Sequence, residues 1–142
     1  MVFLGDGDGM SSSLVLFSEA GIIPKIKSAT VLDFDERILN GILRCRDKHG
    51  VKIEMNLELY NVIEPIPKKY QGKFDFFYIN PPYGSKNEGL SSIVWLYRCM
   101  DLIKKDAEGI IVIPYDSNIE WTKDAMVKIQ KFLIDNGFVL KK

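Results

Sequence analysis

The chain has 142 residues, 46% of them hydrophobic, and 19 Lys+Arg balance 19 Asp+Glu; that is one domain with a proper core. Zero formal charge counts against a dedicated nucleic-acid binder, and neither a membrane-spanning run nor a signal peptide is evident. Two cysteines without Cys-x-x-Cys spacing, Cys45 and Cys99, read as reduced, buried thiols of a cytoplasmic protein rather than a disulfide or zinc framework.

Val2-Phe3-Leu4 reads as a short strand and Gly5 to Gly9 as the loop after it. Met10 to Ala20 reads as a helix, with serines at its start and Gly21 just past its end. Residues 29–33 form a second strand. Asp35 caps a helix running to about His49, with Ile38, Leu39, Ile42, Leu43 and Cys45 on or near one face. The single histidine, His49, precedes Gly50 and reads as a helix-end residue rather than a ligand or base. Residues 51–59 alternate as a third strand, with Val51, Ile53, Met55, Leu57 and Leu59 on one side. A polar, proline-containing linker from Asn61 to Lys73 leads to an apolar, buried fourth strand at 74–79.

A helix from about Leu90 to Lys105 carries Ile93, Leu96, Met100 and Ile103 at helical spacing. Gly109 to Ile113 is a fifth strand, ended by Pro114. Ser117 and Glu120 form a capping-box pattern for a helix reaching about Asn136. That helix places Met126, Ile129 and Leu133 inward and has Gly137 as its stop. Phe138-Val139-Leu140 begins a sixth strand. Strands alternating with helices predict an α/β, Rossmann-like fold, a mostly parallel sheet flanked by helices. Right-handed crossovers bring the polar loops after strands one, two and four to one edge. The abrupt first strand and abrupt end lead us to expect a truncated protein or an excised catalytic domain.

The most informative stretch is Asn80-Pro81-Pro82-Tyr83. Two prolines stop the fourth strand and leave Asn80 and Tyr83 at its carboxyl end, where open α/β sheets bind ligands. The Asn80 side-chain oxygen and the Pro81 carbonyl can both accept from one amino group, aiming its lone pair at an electrophile. Tyr83 can stack on the substrate. The competing reading is a proline turn that only ends a core strand.

Gly5-Asp6-Gly7-Asp8-Gly9 lets backbone approach a ligand closely. It lacks a Walker lysine, and Gly-x-Gly-x-Gly is not the dinucleotide spacing. Asp6 and Asp8 favour a cationic ligand such as a sulfonium or ammonium group; a tight acidic turn or a calcium-like loop is the alternative. Asp33, at the end of the second strand, suits ribose hydroxyls. Asn61 and Val62 follow the third strand, where adenine is commonly contacted. Glu88, Ser91 and Trp95 are positioned to line an acceptor pocket, although Trp95 and Trp121 also read as core residues.

Four stretches together resemble the branched-chain polyamine synthase family, the N(4)-bis(aminopropyl)spermidine synthases. They are Gly5 to Asp8, Val31 to Arg37, Phe74 to Asn87, and Trp95 to Asp101. The resemblance covers nearly the whole chain and implies a single class I methyltransferase-like catalytic domain at 1–142, without the N-terminal domain that the family carries. It implies transfer of aminopropyl groups from decarboxylated S-adenosylmethionine to a nitrogen of a polyamine such as spermidine. By the same resemblance Asp6 and Asp8 are central to catalysis and Asn80, Pro81 and Tyr83 form the acceptor motif; the loop reading above gives Gly5, Gly7, Gly9, Asp33 and Asn61 as the residues that bind the donor. Gly7 and Asn61 stand where the family commonly has acidic residues. No metal is needed, no nucleic-acid or membrane partner is expected, and a homo-oligomer is compatible with the sequence. An S-adenosylmethionine-dependent amino-methyltransferase and an inactive nucleoside-binding fragment are the rival readings.

Overall fold

Short runs of β-branched and aromatic residues, apolar on both faces, become the strands of one sheet. The computed structural model describes residues 1–87 and 89–141. In chain order the elements are β1 (Val2–Leu4), α1 (Met10–Glu19), β2 (Ser28–Asp33), α2 (Glu36–His49), β3 (Glu54–Leu59), β4 (Phe74–Ile79), α3 (Ser91–Leu102), β5 (Ile103–Ile111) and α4 (Glu120–Asp135). Single 3₁₀ turns at Lys68–Tyr70 and Ser85–Asn87 complete the described elements. The strands are ordered β3-β2-β1-β4-β5, and every neighbouring pair is parallel.

The two faces of the sheet build two cores. Phe3, Ala29, Val31 and Tyr78 point to one side and pack with Val15 of α1 and Leu39 and Ile42 of α2. Val2, Leu4, Leu32, Phe77 and Ile79 point to the other and pack with Leu96, Cys99 and Leu102 of α3 and Ile129 and Leu133 of α4. The period-2 alternation along each strand assigns these faces. All three residues of β1 are buried, since it is the middle strand with helices on both sides. Asp35 caps α2 by accepting from the Arg37 N–H at 2.9 Å, and Gly50 closes it in the left-handed region at φ 62°. Both cysteines are free thiols, Cys99 buried and Cys45 half-buried.

Four expectations change. The third strand begins at Glu54, not residue 51, because the N–H groups of Lys52 and Ile53 both donate to Glu19 Oε1 at 2.7 Å and so leave the ladder. Val51 and Ile53 still pack on the α1/α2 core, whereas Leu59 is exposed. The helix expected to reach Lys105 stops at Leu102. Ile103 pairs with Phe74, Lys104 bonds to Asp75, and β5 therefore starts at Ile103. Pairing in the sheet outweighs the helical periodicity there.

The other two changes lie nearer the end of the chain. α4 has Ile119 at its N-cap without a side-chain capping bond. Asp116 makes the turn instead, accepting from the Asn118 N–H at 2.8 Å, while Thr122 Oγ1 accepts from the Asp116 N–H at 3.0 Å. Thr122 and Ala125 take buried places beside Ile129 and Leu133, and Met126 is half-buried. Residues 138–140 do not join the sheet: Phe138 packs edge-on against Phe77 at 6.2 Å, and Val139 and Leu140 are exposed.

Gly109 of β5 lies directly beneath the Phe77 ring, so a Cβ at this position would occupy the ring's space. Phe77 is a buried core residue, and close-packed interiors leave a ring little room to shift. Gly109→Ala is expected to destabilise the fold by about 1–3 kcal/mol. Gly84→Ala, at a glycine with open space and no positive φ, is the control and keeps the parental midpoint in urea denaturation.

Candidate active site

β2 and β3 lie on one side of β1, whereas β4 and β5 lie on the other. The chain thus reverses direction across the sheet between β1 and β4, and ligands of open α/β sheets bind outside the carboxyl ends of the strands at such a point. The register pairs Leu4 with Ile79, so Gly5 and Asn80 leave the sheet side by side. The acidic glycine loop and the Asn-Pro-Pro-Tyr loop therefore meet, although 72 residues separate Asp8 from Asn80.

The three aspartates of this edge differ in what they do. Asp33 is buried, and its two oxygens accept from the N–H groups of Asp6 and Asp35, each at 2.8 Å. It ties the glycine loop to the end of β2. Asp6 is only 2% exposed and faces α1. Its Oδ1 accepts from the Ser11 N–H at 2.9 Å and its Oδ2 from the Ser11 hydroxyl at 2.6 Å. Burial pushes the Asp6 carboxyl up to about 6, against the Ser11 hydrogen bonds and with the charges of Asp8 and Asp33 adding to the rise.

Asp8 alone among them is exposed to solvent. Its Oδ2 accepts from the Tyr78 hydroxyl at 2.6 Å and from Asn80 Nδ2 at 3.0 Å, while Oδ1 takes the Met10 N–H at 3.3 Å. Partial burial works to raise its pKa, but the bonds from Tyr78, Asn80 and the backbone outweigh that and hold the carboxyl below the usual range. Asn80 spends its amide nitrogen on Asp8, which leaves its oxygen as the outward acceptor.

Glycine is required at Gly5, which has φ 73°; a Cβ there would lie 2.6 Å from the Trp95 ring of α3. Gly9, at φ 70°, opens α1. Gly7 is exposed, and a Cβ on it would meet only Ile38 Cδ1 at 3.9 Å, so a side chain fits there. Pro81 is buried. Tyr83 is half-buried, and its hydroxyl oxygen is shielded from water without a hydrogen-bond partner. The Ser91 hydroxyl donates to the Pro82 carbonyl at 2.9 Å and anchors the loop to α3.

Asn61 stands apart from this cluster, two strands from β1. Its Oδ1 accepts from the Ile63 N–H at 3.2 Å and shapes the turn after β3. Glu88 lies outside the described residues. Two contributors went unnoticed in the sequence, Ser11 and Tyr78. Tyr78 carries the only hydroxyl in β4 and sits two residues before Asn80, a spacing that puts both on one side of the strand. Among the described residues, no group of three or more His, Cys, Asp or Glu is arranged to hold a metal ion, and no helix is long and apolar enough to cross a membrane.

The family model for the branched-chain polyamine synthase A C-terminal domain matches residues 1–142. The chain belongs to this family. The uncharacterized protein MJ0675 of Methanocaldococcus jannaschii is 32% identical over 141 residues, 99% of this chain and 32% of its own length. Among solved structures, the branched-chain polyamine synthase of Thermus thermophilus, in complex with N4-aminopropylspermidine and 5′-methylthioadenosine, superposes with a TM-score of 0.75 at 23% identity. That match covers 99% of this domain and 37% of the synthase chain. A SAM-dependent methyltransferase from Aquifex aeolicus follows at 0.64 and 16%, covering 99% and 72%. The domain spans about a third of the length of the first two proteins. At these identities the two solved structures establish a class I methyltransferase-like fold.

The buried Asp6 leaves a signature in stability. Its folded-state pKa lies above the unfolded value of about 4, so between about pH 4 and 6 the folded state binds more protons than the unfolded state. The Asp6 contribution is therefore full below about pH 4, falls as pH rises through 6 and is level beyond. Asp6→Asn is expected to flatten that segment of the urea midpoint plotted against pH from 4 to 8.

Proposed function

We propose that this domain transfers an aminopropyl group from decarboxylated S-adenosylmethionine to a polyamine nitrogen, with spermidine as the acceptor. The observation that carries this reading is the Asp8–Asn80 hydrogen bond, which joins an anion to a nitrogen-directing loop at the topological switch point. Family membership supports it, as do the polyamine and the methylthioadenosine named with the Thermus enzyme.

In this reading the donor's nucleoside lies along Gly5, Gly7 and Gly9. Asp33, whose oxygens each hold one backbone N–H, offers remaining lone pairs to the ribose, and Asn61 lies toward the adenine. The Asn80 oxygen and the Pro81 carbonyl accept from the attacking amine, and Tyr83 packs on the aliphatic chain. The amine lone pair forms a bond to the methylene carbon attached to sulfur. The carbon–sulfur bond breaks, and its electron pair stays on sulfur to give neutral methylthioadenosine. The nitrogen, now positively charged, gives its proton to Asp8, from which it passes to water. Asp6 shapes the loop from behind, since both of its oxygens are taken by Ser11. Preorganised placement is the main gain, because the nitrogen and the carbon must meet in line.

The acidic edge also selects the donor. S-adenosylmethionine carries a carboxylate that the Asp8 charge repels, whereas the decarboxylated form brings only cationic groups. Calorimetric titration with each donor separately is expected to show at least about tenfold tighter binding of the decarboxylated one, a difference of about 1.4 kcal/mol. Tighter binding of S-adenosylmethionine would overturn this in favour of an amino-methyltransferase. Binding of neither would favour an inactive fragment or degenerate module that works only with another part of a longer protein. Asp8→Asn is expected to lower aminopropyl transfer to spermidine by about a hundredfold or more with the fold retained, checked by product analysis.

A further inference from the structure

Tyr78 belongs to two parts of the molecule at once. The residue is 4% exposed, and its ring packs in the α1/α2 core, 5.9 Å from the Phe3 ring. Its hydroxyl leaves that core to donate to Asp8 Oδ2 at 2.6 Å, the same oxygen that Asn80 Nδ2 reaches at 3.0 Å. β4 and the residue just past its end thus contribute two donors, two positions apart, that converge on a single carboxylate oxygen of the β1 loop. The alternatives for a buried tyrosine hydroxyl here are a backbone carbonyl or water. A bond to an ionised partner is shorter and stronger than one to its protonated form, so it favours the ionised form.

We propose that Tyr78 is a positioning residue of the candidate active site: its core-anchored hydroxyl holds the Asp8 carboxylate in one orientation and in its anionic form beside Asn80. The inference rests on the aminopropyl-transfer reading for its consequence in turnover, but not for the Tyr78–Asp8 coupling itself. A carboxylate on a glycine-rich loop is otherwise free to rotate, because Gly7 and Gly9 flank it and neither meets a close neighbour. Two donors on one oxygen remove that freedom. They leave Oδ1, with its longer bond from the Met10 N–H, as the less committed atom for an incoming ammonium. The same bond keeps the Asn80 amide oriented, since Asn80 can donate to Asp8 only with its nitrogen turned inward and its oxygen outward.

Among the described residues, the charged and titratable groups that act on this pair come from three elements. Asp6 and Asp8 of the glycine loop and Tyr83 of the following loop act on the Tyr78 hydroxyl, and Asp33 of β2 acts on Asp6. Burial raises the Tyr78 hydroxyl foremost and the Asp8 bond adds to it, so at neutral pH Tyr78 is a donor and not a second anion.

The test is Tyr78→Phe, which keeps the ring in the core and deletes only the hydroxyl. Carbon-13 NMR of aspartate-labelled protein, with the Asp8 resonance assigned by its absence in Asp8→Asn, reads the Asp8 titration directly. It is performed in an Asp6→Asn background so that Asp6 does not contribute. The Asp8 midpoint is expected to move to higher pH in Tyr78→Phe, by about one unit. Turnover with decarboxylated S-adenosylmethionine and spermidine is expected to fall about tenfold in kcat. The dissociation constant of the donor is expected to change less than about twofold, because the Tyr78 hydroxyl is spent on Asp8 rather than offered to the donor. An unmoved Asp8 midpoint overturns the inference, as does a shifted midpoint with unchanged kcat in a protein whose Asp8→Asn variant is inactive. If Asp8→Asn keeps full transfer, the aminopropyl-transfer role of Asp8 fails instead, and the NMR midpoint alone decides whether Tyr78 governs its ionisation.

Discussion

The parallel pairing of β1 with β4 is the constraint on which the rest depends. Neither strand is adjacent to the other in sequence, and β1 is only three residues long. Because Leu4 stands opposite Ile79, the glycine loop and the Asn-Pro-Pro-Tyr loop begin at the same height above the sheet. A slip of one residue would turn Tyr78 and Asn80 to the other face and would place Phe77 where the Tyr78 hydroxyl now meets Asp8. The burial of Val2, Phe3 and Leu4 between two helix layers makes such a slip costly, so the packing of the middle strand and the geometry of the site have one cause.

Electrostatics then divides labour among residues of one type. Asp33, Asp6 and Asp8 lie within one loop and the neighbouring strand end, and three unpaired carboxylates there would repel one another. Asp33 is absorbed by two backbone N–H groups, and Asp6 is sheltered against Ser11, where its proton is easier to keep. Asp8 alone faces solvent, and it is the one whose hydrogen bonds favour the charged form. The loop therefore presents one solvent-facing carboxylate rather than a diffuse acidic patch. Such an arrangement can hold a cationic amine without first having to overcome its own repulsion.

Much of the sheet was legible because each strand is short, apolar and bounded by turn residues. The helices were legible from spacing and from Asp35, Gly50 and Gly137. The losses came where long-range pairing or a competing side chain decides. Lys104 and Lys105 look helical until Phe74 supplies a strand for Ile103 to join. Ser117 looks like a cap until Asp116, one residue earlier, takes the turn. In the site, the loops and their meeting point followed from alternation and from crossover handedness. The different fates of Asp6 and Asp8 did not, since the two residues are alike in sequence and are separated only by which one Ser11 can reach.

Tyr78 shows why the last part of a site is the hardest to read from a chain. In β4 it sits among phenylalanines and an isoleucine, and its aromatic ring alone justifies its place in the core. Replacing it by phenylalanine would satisfy the packing equally well, so the core does not require the hydroxyl. The requirement comes from the loop after another strand, whose acidic residue needs a partner at a fixed height. A rigid strand supplies that partner better than a loop does, because its ring is locked by neighbours that have no other purpose than to fill space. The core thus lends its rigidity to the charge, and a glycine-rich acidic loop is tolerable because the charge it carries is held from the strand side.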